Sequence, residues 1–95
     1  MAAYMIFDIE VHDPEQYAEY RKLASPTVAQ YGGRYIVRGE QAQALEGEWD
    51  PKRVVVLQFD VREQALAWYE SAEYGAAKAI RERTATSKAI IVEGA

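Results

Sequence analysis

The chain has 95 residues, 49% hydrophobic and 27% charged, a length that suits one domain, 1–95, and a composition far from that of disordered chains. Eleven Lys and Arg against fifteen Asp and Glu leave a net charge of -4, which opposes the phosphate neutralisation that nucleic-acid binding needs. No Cys occurs, so disulfides, thiolate nucleophiles and cysteine-held metals are excluded. Met1 to Glu10 carries no basic leader and reaches Asp8 too soon for a secretory or membrane-spanning segment, so a cytoplasmic protein with no membrane partner is expected.

Tyr4 to Val11 alternates with a period of two. Met5, Phe7, Ile9 and Val11 share one apolar face, with Tyr4, Ile6, Asp8 and Glu10 on the other, the pattern of a strand. Asp13 is placed to cap a helix whose first position Pro14 fits, because its missing N–H is not needed there. Tyr17, Tyr20, Ala24, Val28 and Tyr31 form one helical stripe that ends at Gly32-Gly33. Pro26 either kinks this helix near Ala24 or starts a second one capped by Ser25. The run from Arg34 to Val37 predicts an irregular second strand that resumes past Gly39, a candidate bulge, toward Leu45. Glu46 to Lys52 has turn composition, and Arg53 to Asp60 is the strongest strand signal, so these two strands pair as a hairpin. Asp60 is a candidate cap for a helix with Ala65, Leu66, Trp68 and Tyr69 on its apolar side. Ser71-Ala72 breaks that pattern, and a further helical segment from about Glu73 to Arg83 turns Ala76, Ala77 and Ile80 to the sheet. Lys88 to Glu93 closes the chain as a strand.

The order βαββαβ predicts an α+β fold in which two helices, near 14–31 and 62–83, cover one face of a four-stranded antiparallel sheet. The uncovered face then carries Tyr4, Ile6, Val54 and Val56, with Ile90 and Val92 or their alternates, broken by Asp8, Glu10 and Gln58. An apolar face of that extent is more than monomers usually leave in water, and a homodimer joined through it is expected.

The residues also carry a family likeness, in Tyr31-Gly32-Gly33-Arg34-Tyr35 with Val37-Arg38-Gly39, and in Leu45-Glu46-Gly47 with Trp49, Pro51 and Arg53. It continues through Trp68-Tyr69-Glu70-Ser71 with Glu73-Tyr74, and ends at Arg81. Over nearly its full length the chain resembles the domain of unknown function 1330 family, within the dimeric α/β-barrel proteins of ferredoxin-like fold. The resemblance implies a dimer with two sheets face to face. It also implies a superfamily whose other branches include cofactor-free monooxygenases, isomerases and dehalogenases, without supplying an activity.

Asp8, mid-strand, is a candidate pocket acid or base, or else one half of an interface ion pair with Arg38 or a partner's arginine. Trp49 flanks the turn, where it closes a pocket or crosses to another subunit. Arg53 holds either an anionic ligand or a salt bridge to Glu46 or Glu48. Trp68, Tyr69, Tyr74 and Arg81 lie on the second helical pair, where aromatics at helical spacing are more often core than ligand site. Together with Tyr17, the tyrosines among them would instead frame an apolar cavity with polar tips. His12 stands without other ligands and reads as a solvated loop residue, so no metal is expected. Ser71 has no G-x-S-x-G around it, and Gly32-Gly33 follows a helix rather than opening one, so neither a serine hydrolase nor a phosphate cradle is indicated. No cofactor is expected. Two functions remain: a dimer that binds, and in its stronger form turns over, a small aromatic or carboxylate metabolite in a helix–sheet cleft, and a non-catalytic structural or binding homodimer.

Overall fold

The computed structural model describes residues 1–39 and 41–94. Its elements run β1 (Ala3–Val11), α1 (Pro14–Gln30), β2 (Arg34–Arg38), β3 (Val54–Phe59), α2 (Arg62–Tyr69), α3 (Ala72–Thr84) and β4 (Ala85–Glu93). The strands form one antiparallel sheet in the order β2-β3-β1-β4. This is the ferredoxin-like α+β fold, with the first and last strands side by side at the end opposite β2. The period-two alternation of β1 decides which side the helices take. Ala3, Met5, Phe7 and Ile9 are buried beneath them together with Leu57 and Phe59, while Tyr4, Ile6 and Asp8 face the other way.

Helix α1 begins where its local chemistry dictates. Pro14 takes the first turn, and the Asp13 carboxylate accepts a hydrogen bond from the Gln16 N–H at 3.2 Å. Pro26 stays inside this one continuous helix rather than starting a second, and the buried stripe is Tyr17, Tyr20, Ala24, Thr27 and Val28. The helix stops at Gly32, whose φ of +79° suits glycine, with the Gly33 N–H returning to the Val28 carbonyl at 2.8 Å.

Five expectations are corrected. The second strand ends at Arg38 and does not resume toward Leu45: residues 41–53 form an irregular loop, and Glu40 lies outside the described residues. The register irregularity falls between Tyr35 and Val37 rather than at Gly39. Asp60 does not cap α2, whose cap position is Val61 with no side-chain bond. The helical stretch near 62–83 divides at Ser71, as its broken pattern predicted, into α2 and α3, with Ser71 accepting from the Tyr74 N–H at 3.0 Å to start α3. Within α3, Ala77 is buried and Ile80 half-buried, but Ala76 is exposed. The last strand also starts three residues earlier than expected, at Ala85.

The core centres on Trp68, which is 1% exposed and stacks on Tyr74 at 4.0 Å between ring centroids. Its indole N–H donates to the Thr27 hydroxyl at 2.9 Å, tying α2 to α1.

Candidate functional site

Helix α1 and the helix-facing side of β1, β3 and β2 enclose a cleft lined by Tyr17, Tyr20, Arg21, Ser25, Tyr35, Arg38 and Arg53 over an apolar floor of Phe7, Ile9, Val55 and Leu57. Helical spacing puts Tyr17 and Arg21 on one face of α1, four residues apart. Strand alternation turns Tyr35 and Arg38 inward opposite Leu57 and Val55, with the register shift between them allowing an odd spacing to share one side. Arg38 lies over the Tyr35 ring at 4.1 Å and Arg53 stands 6.0 Å from the centre of the Tyr17 ring. The enclosed volume is about 40 Å³.

Among the described residues, no carboxylate lines this cleft. Among the described residues, the ion pairs are Lys22 with Glu19 and Lys52 with Asp50, and none involves Arg21, Arg38 or Arg53. Burial pushes the Tyr17 hydroxyl above its ordinary value despite the opposing pull of Arg53, Arg21 and Arg81. Burial also raises Tyr20, reinforced by Tyr74, whose hydroxyl lies 3.0 Å away. Both phenols are therefore protonated donors at neutral pH. Among the described residues, the cleft offers three guanidinium groups and phenol O–H donors but no side chain that would take up a proton near pH 7, an arrangement suited to holding an anion.

The other expected site residues fall elsewhere. Asp8 lies on the uncovered face of the sheet, half-buried, accepting from the Trp49 indole N–H at 3.1 Å and from the Lys52 backbone N–H at 3.0 Å. Partial burial pushes its carboxyl up, but these two hydrogen bonds, the Arg53 N–H and the charge of Lys88 outweigh that and hold it below the ordinary value. Arg38 faces the opposite side of the sheet, so no ion pair with Asp8 forms within the chain. Trp49 is 58% exposed over this face. Arg53 turns into the cleft, and its expected bridge to Glu46 or Glu48 does not form.

Trp68 and Tyr74 are packed in the core at 1% and 0% exposure and line no cleft with Tyr17. Arg81 donates from Nε to the Tyr74 hydroxyl at 3.3 Å and, with Tyr69, borders a separate cleft against β4. His12 is exposed and bonded to the Thr86 hydroxyl at 2.7 Å. No cluster of three metal-ligating side chains occurs among the described residues, and no described helix is long and apolar enough to cross a membrane. Sequence reasoning passed over Arg21 and Tyr35 as site residues. The four-residue step from Tyr17 would have found the first, whereas the second depends on the register shift in β2.

No curated protein matches the sequence. Among solved structures, a protein of unknown function from Rhodopseudomonas palustris superposes with a TM-score of 0.80 at 17% identity, over 99% of this chain and 82% of that one. A dimeric ferredoxin-like protein of unknown function from Thermobifida fusca gives 0.71 at 18% identity, covering 99% and 92%. SnoaB, a cofactor-independent oxygenase from Streptomyces nogalater, gives 0.65 at 11% identity, covering 99% and 93%. At these identities the likeness is one of fold. The family model described as a domain of unknown function (DUF1330) matches residues 2–95, and the chain belongs to that family.

Proposed function

We propose that the protein is a homodimer that binds a small aromatic or aliphatic carboxylate in the cleft between α1 and the sheet. The observation that carries this reading is the gathering of Arg21, Arg38 and Arg53 around Tyr17 and Tyr35, with no carboxylate among the described lining residues. Guanidinium forks match a carboxylate in shape and charge, and the tyrosine rings suit a flat apolar body. The cleft is small, so a ligand enters by lifting Arg38 off the Tyr35 ring, where it is exposed and held by stacking alone among the described residues. The site reads as one that binds and polarises. Without a residue that accepts a proton near neutrality, any turnover would rest on stabilising negative charge that develops on the ligand.

The test is a thermal-shift titration with benzoate, using benzyl alcohol as the neutral control. A ligand that binds only the folded state raises the melting temperature in a saturable way. Arg38→Met and Arg53→Met should each weaken the response about tenfold, since each removes a charge-assisted hydrogen bond. No saturable rise with benzoate, or an equal rise with the alcohol, would overturn the reading. The rival is a dimer with no ligand, in which the arginines only pack against tyrosines. The enclosed volume of about 40 Å³ favours it, because small-molecule sites usually run to roughly 300–1,000 Å³.

A further inference from the structure

At the opposite edge of the sheet, α3 and the end of α2 stand away from β4 and leave a cleft of about 450 Å³ lined by Tyr69, Arg81, Glu82, Ala85, Ser87 and Ala89. The sequence of β4 makes this space. Its helix-facing positions are the small residues Ala85, Ser87 and Ala89 before Ile91 fills the core again. Bulky β-branched residues at those three positions would have closed the gap.

Two polar groups in this cleft lack what burial demands. Arg81 is 5% exposed, and its hydrogen bond runs from Nε to the neutral Tyr74 hydroxyl at 3.3 Å. Among the described residues it has no ion pair, although Glu82 borders the same space. A buried guanidinium is normally matched by an anion. The Ser87 hydroxyl oxygen is buried with no hydrogen-bond partner, and an unmade hydrogen bond at a buried hydroxyl is likewise unfavourable. Arg81 supplies positive charge with donors in a planar fork, and Ser87 supplies one O–H donor. Tyr69 adds an aromatic wall, itself covered by Lys78 at 4.1 Å from the ring centre, which adds a second positive charge nearby.

We propose that the cleft between α3 and β4 is a second anion site, holding a small carboxylate between the Arg81 guanidinium and the Ser87 hydroxyl, with its apolar body against Tyr69 and the alanine floor. The two clefts share no lining residue, and Arg81 is linked to the α1 cleft only from behind, through the Tyr74 and Tyr20 hydroxyls and its position 5.4 Å from the centre of the Phe7 ring.

The experiment is a titration of ¹⁵N-labelled protein with sodium acetate, with sodium chloride at equal ionic strength as the control, read at the Arg81 Nε–H and the backbone amides of 85–89. Saturable shifts at these positions are expected with acetate alone. Arg38→Met, which disables the other cleft, should leave them unchanged. Ser87→Ala should weaken the apparent affinity about fivefold, the loss of one hydrogen bond. Because this variant removes an unpartnered hydroxyl, it should melt no lower than the parent in the absence of acetate, which separates lost binding from lost folding. Arg81→Lys keeps the charge but not the fork and should weaken acetate at least as much. Shifts that stay linear or match those of chloride would overturn the proposal. So would shifts confined to the Tyr17 and Tyr35 neighbourhood, or a Ser87→Ala protein that binds acetate as the parent does.

Discussion

Asp8 shows how far one side chain can be read from its neighbours in sequence. Its face of the sheet follows from the period of two, since it lies across from Val54 on one side and Lys88 on the other. Its partners do not follow, because Trp49 and Lys52 reach it through a loop whose path no periodicity describes. The carboxylate therefore acts as an anchor for the 49–52 segment. Asp8→Asn keeps the volume but removes the charge and one acceptor site. It should lower stability by about 1 kcal/mol at pH 7, the usual scale of a hydrogen bond to a charged group after allowing for partial exposure. The sign of the pH dependence follows from a folded pKa below the ordinary value of 3.8. The stabilisation is fully present above pH 3.8 and is lost as pH falls through the folded value. Urea unfolding at pH 7 and near pH 3 should show the two proteins converging in acid, and a constant gap between them would refute the anchoring role.

At the scale of elements, what could be read was what local chemistry decides. Asp13 and Pro14 start α1, Gly32 ends it, and the alternation of β1 and the apolar run of β3 place both in the sheet. What escaped was set by contacts distant in sequence. Residues 41–45 have a composition compatible with a strand but form an irregular loop, and α2 starts at Arg62 behind Val61, which makes no side-chain capping bond. The cleft residues divide in the same way. Tyr17 is inward because its helical stripe is apolar, whereas the separation of Tyr17 from Tyr74 depends on how α1 and α3 pack. Gly39 is where element geometry and site meet. It ends β2 with φ of +71°, and a Cβ added there would run into the Val54 carbonyl oxygen and come within 2.8 Å of the Arg53 Cγ. Gly39→Ala should cost about 2 kcal/mol or more, from left-handed backbone strain plus a clash with backbone that cannot yield. It should also weaken any benzoate response by displacing Arg53. Chemical denaturation of this variant checks the first part, and a loss below about 0.5 kcal/mol, the range of neutral surface changes, would show that the turn relaxes freely.

As a whole the molecule is a slab, 34 by 31 by 16 Å along its principal axes, with one broad side uncovered. Across that side run Val37, Val56, Ile6 and Ile90 in a single row, flanked by Val54 and Val92. Ile90 is 61% exposed, Val92 44% and Val37 43% on the two outer strands, and Ile6 and Val56 between them are half-buried. The accessible surface is 6146 Å², against about 5,500 Å² expected of a compact monomer of this mass. The excess is what a half-assembled object would show, and a second slab laid face to face would convert this side into a core. A stable pair needs on the order of 800 Å² buried on each partner, which a face of this size supplies. The groove of Asp8, Glu10, Asp50, Lys52 and Lys88 at one end of the same face carries both signs, so a two-fold copy can set its lysines against the other copy's carboxylates. Sedimentation equilibrium at micromolar concentration should give about twice the monomer mass, as this assembly requires. Ile90→Lys places a charge in the middle of the apolar row and should shift the protein to monomer, while leaving the helix-facing core and the far-ultraviolet circular dichroism intact. If the parent sediments as a monomer, or Ile90→Lys remains a dimer, the sheet face is not the interface and its exposed isoleucine and valines need another explanation.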